Sequence, residues 1–160
     1  MFNLGVIMGK MEFESQICTT KEQSERLLSL GLKAGTADML YTTDESVPEL
    51  CRCYRLEVGC YIPDVDDGLK RIPAWSLSRL MAVLPDSIMG SVIDDCGNNI
   101  NHMCFFRMKK MTVAYDYYNE EGRTEPYEMF MRADIYDAVI DMFEFLVSEG
   151  LMKRDYLQEN

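Results

Sequence analysis

Between Asp134 and Glu149 the apolar residues Ile135, Val139, Met142, Phe143, Leu146 and Val147 return at the spacing of one helix face. A helix with a single apolar stripe is held mainly by whatever covers that stripe, so this segment requires a partner layer. Gly150 marks its end, and Leu151 is placed to fold back onto Leu146. The cover is written just upstream. Cys104, Phe106 and Met108 alternate on one parity, and Met111, Val113, Tyr115 and Tyr117 on the other, so the pattern slips near Lys109-Lys110. Two lysines are poor hairpin-turn residues, which favours a bulge at that point over a tight turn. Asn119-Glu120-Glu121-Gly122 then turns the chain into Tyr127, Met129 and Met131, which alternate again and predict a hairpin. Strands followed by a one-sided helix imply an α+β domain. At 160 residues and 48% hydrophobic composition, the expectation is one domain over 1–160. It is a mostly antiparallel sheet packed by about three helices, the last long and amphipathic.

The other helices carry start signals. Thr19 and Glu22 have capping-box spacing and Gly31 supplies a stop, which predicts a helix over about 20–30. Its Leu27, Leu28 and Leu30 crowd the last turn, so only that end needs burial. Pro73-Ala74-Trp75-Ser76 opens a second helix with Ser76 as N-cap, Leu77, Leu80, Met81 and Leu84 on one face, and Pro85 as the stop. Trp75 before the cap and Leu80 at the fourth helical position have the spacing of a hydrophobic staple. Ala37, Met39, Leu40 and Tyr41 make a short extended piece, Cys51 to Ile62 favours a strand, and Ile88 to Ile93 reads as another. Pro63 to Gly68 and Asp94 to Asn99 read as turns. Glu12-Phe13-Glu14 opens a short strand, while residues 1–11 read as flexible or as lying upstream of a native start at Met11.

Charge narrows the partners. A formal net charge of -11, from 27 acids against 16 bases, opposes counterion-driven binding to phosphates, so no nucleic-acid partner is expected. Lys70-Arg71, Arg107 with Lys109-Lys110, and Lys153-Arg154 are short clusters of the kind that solubilise helix ends and edges. The apolar run Leu4 to Met8 is too short for a signal-peptide core. No stretch approaches the roughly 20 apolar residues that span a bilayer. A cytoplasmic protein without a membrane partner is the expectation, and the six cysteines then read as reduced, small, buried hydrophobes.

Candidate chemistry centres on few residues. His102 is the single histidine, so acid–base and Cys/His schemes would have to use it. His102 and Cys104 share a strand face, as a dyad requires; a sheet-edge histidine beside a buried cysteine is the structural alternative. Cys51, Cys53 and Cys60, or Cys96, His102 and Cys104, lack zinc-site spacing. Asp64-Val65-Asp66-Asp67-Gly68 has its glycine one place too early for a calcium loop and lacks the closing glutamate. Gly5 to Met11 is one spacer short of a phosphate loop. No metal or cofactor is expected. Asp38 sits between apolar residues after Thr36, either as a partly buried functional acid or as a turn cap. The 13 methionines and nine tyrosines suit adaptable contact surfaces. Among them, the Tyr115, Tyr117, Tyr118 and Tyr127 hairpin carries aromatics on both faces and is the candidate interface.

Thr19-Thr20-Lys21-Glu22-Gln23-Ser24 leading to Leu30-Gly31-Leu32, then Thr36-Ala37-Asp38-Met39, then Pro73-Ala74-Trp75-Ser76-Leu77 to Leu84-Pro85, together resemble an uncharacterised family of small proteins of phage-derived and mobile elements of gut bacteria. The resemblance spans most of residues 12–157. It implies a genomic setting and transfers no mechanism or catalytic residue; Thr36, Asp38, Trp75 and Ser76, as turn cap, staple and N-cap, read as a structural motif. Three functions follow as expectations. The first is a non-enzymatic protein-interaction or accessory protein; the second is a hydrolase or nucleotide-processing enzyme using Asp38 with His102 or with Asp94-Asp95. The third is an acidic nucleic-acid mimic. An enzyme requires Asp38 and His102 to face one pocket, an interaction protein requires an exposed aromatic patch and no such pocket, and a mimic requires rows of carboxylates along one face.

Overall fold

A computed structural model of the chain describes residues 16–48, 53–59, 67–94 and 96–158. Helix α1 (Lys21–Ser29) starts from Thr20, whose hydroxyl accepts the Gln23 N–H while the Gln23 side chain accepts the Thr20 N–H. The capping box therefore lies one residue beyond the Thr19/Glu22 spacing. Thr19 is unavailable as a cap because it is fully buried and its hydroxyl receives the Trp75 N–H and meets Ser24 Oγ. Nor is burial confined to the last turn of α1. Gln23 and Ser24 are buried with Leu27, and the Gln23 amide donates to both Asp134 and Asp137 at 2.7 Å.

After a 3-10 turn at Ala34–Thr36, the strands β1 (Met39–Asp44), β2 (Arg55–Val58) and β3 (Leu69–Ala74) form an antiparallel sheet in the order β2-β1-β3. Strand β2 falls inside the predicted 51–62 segment, of which 51, 52 and 60–62 lie outside the described residues. The expected strand at Glu12-Phe13-Glu14 and most of the Pro63–Gly68 turn also lie outside them. Strand β3, which no sequence signal announced, runs through Pro73 and Ala74 up to the residues before the Ser76 cap. It is an edge strand, where a missing N–H is tolerated, and Pro73 pairs with Leu40 near its end. Helix α2 (Leu77–Val83) then begins after Ser76, whose Oγ accepts the Arg79 N–H at 3.2 Å. Trp75 and Leu80 are buried in the same cluster, as the staple spacing predicts.

Strands β4 (Ser87–Ile93), β5 (Asn99–Lys109), β6 (Thr112–Tyr118) and β7 (Thr124–Met131) form a second antiparallel sheet in simple sequence order. The expected bulge at Lys109-Lys110 is instead a two-residue hairpin turn. Lys109 pairs with Thr112 and the ladder runs unbroken to Phe105 and Asp116, with Lys110 held at a φ of 54°. The irregularity lies between β6 and β7, where Tyr115 pairs with Glu128 and Asp116 with Pro126, leaving Tyr127 as the extra residue.

Helix α3 (Ile135–Ser148) covers β6 and β7 and buries Val139, Met142, Phe143 and Leu146, the residues of the sequence stripe. At 14 residues it is of ordinary rather than great length. Asp134 caps it by accepting the Tyr136 N–H at 3.0 Å, and Leu151 N–H returns to the Leu146 carbonyl at 2.8 Å. The fold is α+β, with three α-helices and two antiparallel sheets among the described residues. Its main core joins Leu27, Trp75, Val83, Val113, Ile140 and Leu146, while Cys18, Met39 and Ala74 make a smaller cluster by the three-stranded sheet. Among the described residues no helix is long and apolar enough to cross a membrane.

The turn geometry predicts a stabilising change. A lysine at positive φ carries a steric penalty that glycine lacks, so Lys110→Gly should raise unfolding free energy by about 1 kcal/mol. A urea melt with a higher midpoint and an unchanged slope would show it; a lower midpoint would refute the strain.

Candidate functional site

Thr36, Asp38, Trp75 and Ser76 converge where α1, β1, β3 and α2 meet. Asp38 accepts the Ser76 N–H at 2.8 Å and the Ser76 hydroxyl at 2.5 Å. Ser76 gives its only side-chain proton to Asp38 and accepts the Arg79 N–H, so it serves as the helix cap and not as an activated nucleophile. The Trp75 indole N–H donates to Thr36 Oγ1 at 2.9 Å, Thr36 donates to the Lys33 carbonyl at 2.7 Å, and Arg79 Nε donates to the Thr36 carbonyl at 2.6 Å. Thr19 completes the junction by giving its N–H to the Trp75 carbonyl at 2.9 Å and receiving the Trp75 N–H at 3.0 Å. This is a structural joint, with each named polar group directed at another part of the chain.

His102 lies in a different neighbourhood. A groove of about 500 Å³ opens at the end of the four-stranded sheet, floored by Val92, Ile100, His102 and Tyr117 and bordered by Asp94 and Glu125 among other acids. The His102 ring lies against Tyr117 at 4.7 Å. Tyr117 donates to one oxygen of Glu125 at 2.9 Å, and Asn119 donates to the other at 2.6 Å. That donation holds the Tyr117 hydroxyl above its ordinary pKa, so it remains protonated at neutral pH. Cys104 follows His102 on the same strand face but is fully buried, its thiol directed to the His102 backbone carbonyl at 3.6 Å. Burial pushes that thiol up, away from the thiolate a nucleophile needs. Asp38 lines neither this groove nor a second one beside Thr42, Tyr54 and Arg55, so Asp38 and His102 do not share a pocket.

The remaining chemical candidates are likewise held by structure or not in view. Asp94 accepts the N–H groups of Cys96 at 2.9 Å and Asn98 at 2.7 Å, closing its own turn, and these bonds hold its carboxyl below the usual range. Asp95, Cys51, Cys60, Asp64, Val65, Asp66 and residues 5–11 lie outside the described residues. Among the described residues, no group of three or more His, Cys, Asp or Glu is arranged to hold a metal ion.

The aromatic hairpin points mostly inward. Tyr115 is fully buried and donates to the Pro85 carbonyl at 2.5 Å, Tyr117 is buried, and Tyr127 is half-buried against Phe145. Only Tyr118 of the four is exposed. The apolar surface lies on the opposite face of the sheet. Met89 pairs with Met103, Phe105 follows two residues on, Met129 pairs with Ala114, and Met131 pairs with Thr112, so all these residues share the outer side. Their exposures are 55% for Met89, 54% for Met103, 46% for Phe105, 45% for Met129 and 64% for Met131. The charged residues at the centre of this face, Arg107 and Asp116, are bonded to one another.

No known protein family, curated protein or solved structure matches this chain. The functional reading therefore rests on its own geometry. Sequence periodicity missed the outer face because β5 is apolar on both parities, with Met103 and Phe105 alternating with Cys104 and Phe106. A strand of that pattern reads as covered on both sides. The missed signals were methionine on the second parity of β4 and β5, and the bulge at Tyr127, which separates Tyr127 from the outward Met129 and Met131.

Two outcomes follow. Asp38→Ala should lower unfolding free energy by about 1–2 kcal/mol by removing acceptors from the start of α2, as read from a denaturant melt. Iodoacetamide at mildly alkaline pH should label exposed Cys53 and Cys96 in the native protein but reach Cys18 and Cys104 only after unfolding, because burial raises both of their thiol pKa values. Native labelling of Cys104 at the rate of Cys96 would contradict its enclosure.

Proposed function

We propose that this chain is a non-catalytic protein-interaction protein, an accessory factor of a phage-like mobile element, that contacts its partner through the outer face of the four-stranded sheet. The observation that carries the reading is the exposed set Met89, Met103, Phe105, Met129 and Met131 spread over β4, β5 and β7. Several large apolar side chains exposed together on one sheet face, on both sides of a paired Arg107 and Asp116, mark a contact surface where a singly exposed residue would not. Methionine suits such a role because its unbranched, polarisable side chain adapts to irregular partner surfaces. The Arg107–Asp116 pair supports the same reading, since its internal pairing leaves no unopposed charge at the centre of the face. The mobile-element setting is supported by the resemblance of residues 19–32, 36–39 and 73–85.

The alternatives have weaker support. An enzyme using Asp38 and His102 has its two acid–base groups in separate networks, one capping α2 and the other in the groove. A nucleic-acid mimic needs free carboxylates in rows, yet Asp94 and Asp134 cap local backbone, Asp38 accepts from Ser76 at the start of α2, and Asp116 and Asp141 are bonded to arginines.

Affinity capture from the native host checks the proposal when wild type is compared with a Met103→Glu/Phe105→Glu double variant of unchanged circular dichroism. A protein retained by wild type and lost from the variant is the expected result. Identical retained proteins on both would sink the outer-face reading.

A further inference from the structure

The two edges of the four-stranded sheet are built differently. On β7, Pro126 supplies no N–H, the Tyr127 bulge breaks the ladder, and Glu125 and Glu128 add charge. These are the devices by which natural sheets prevent another strand from adding to an edge. Strand β4 has none of them. Ser87-Ile88-Met89-Gly90-Ser91-Val92-Ile93 contains no proline and no charged residue, and it pairs with β5 in unbroken register from Ser87–Phe105 to Ile93–Asn99. Among the described residues its other side faces no strand, and no residue of β4 gives or takes a backbone hydrogen bond outside the sheet.

The composition of this edge also indicates its occupant. With a net charge of -11, two copies of the chain repel over most of their surface, and β4 offers seven successive uncharged residues along which their backbones can meet, with Asp86 and Asp94 opposed only beyond its two ends. The strand is also self-complementary in size. Laid antiparallel on itself about Gly90, it sets Met89 against Ser91, Ile93 against Ser87, and Ile88 against Val92. On the outer face each large side chain then meets a serine, while Gly90 meets Gly90. Antiparallel pairing of identical strands is also the arrangement a two-fold axis produces, with every contact made twice.

We propose that a second copy of this chain binds along β4, strand to strand and antiparallel about Gly90, joining the two four-stranded sheets into one. The pairing sets the methionine-bearing outer faces side by side as a single broader surface. It stands independently of which partner that face contacts.

Sedimentation equilibrium of the full chain, wild type against Ser91→Lys, tests the pairing together with concentration-dependent amide exchange. Ser91 is exposed, so the lysine leaves the fold intact while placing like charges beside the axis. The expected results are a dimer mass for wild type and a monomer mass for the variant. Amides of residues 87–93 should exchange more slowly at high than at low protein concentration, in wild type alone. A wild-type monomer throughout, a dimer undisturbed by Ser91→Lys, or a dimer whose β4 amides exchange at one rate at every concentration would each overturn the proposal. Because Met103 and Phe105 are untouched, failure here is separable from failure of the outer-face reading.

Discussion

The arrangement of the fold depends on the reciprocal pairing of Thr19 with Trp75. The two sheets share no strand, and the chain passes from the first to the second through the segment running from β3 through Trp75 into α2. Thr19 binds that segment by both its N–H and its hydroxyl, as a short length of partner strand would, and leads directly into α1. The indole then reaches Thr36, which orders the approach to β1. Trp75 is wholly buried, so each of these bonds forms away from water, where leaving one partner unmet costs about 1–3 kcal/mol. Among the described residues no buried side-chain nitrogen or oxygen lacks a partner. The joint is therefore both apolar anchor and hydrogen-bonded clasp.

A second clasp holds the helices. Asp141 on α3 is buried and receives Arg26 of α1 at 2.8 Å and Arg132, just beyond β7, at 2.5 Å. Gln23 adds its bonds to Asp134 and Asp137 at the start of the same helix. The polar side of α1 is consequently an interior surface, a use that a search for apolar stripes does not detect.

Elements with one-sided patterns were legible from sequence. The α3 stripe, the β6–β7 hairpin and the Ser76 cap each follow from a local period or cap, and local signals survive folding when tertiary contacts agree with them. Misreadings occurred where a distant residue decided the outcome. Thr19 has cap chemistry, but its bonds to Trp75 move the cap to Thr20. Pro73 carries no strand signal, but a place on a sheet edge lets it finish β3. Lys110 resembles no turn residue, yet the unbroken pairing of β5 with β6 forces it to positive φ. The same reason separates Asp38 from His102 and assigns Glu125 to the groove. Those neighbourhoods are assembled from residues far apart in the chain, and spacing carries no record of them.

The Tyr127 bulge has an effect that reaches the far side of its sheet. A Cβ placed on Gly90 would stand 2.8 Å from the Tyr127 ring and equally close to the Cys104 sulfur. Gly90 is thus required for clearance rather than for an unusual backbone angle. Its bare Cα lets an aromatic ring from β7 rest on β4 across the intervening strands. Any side chain larger than hydrogen at position 90 would therefore have to displace either that ring or the Cys104 sulfur, which ties the composition of one edge strand to a side chain on the other.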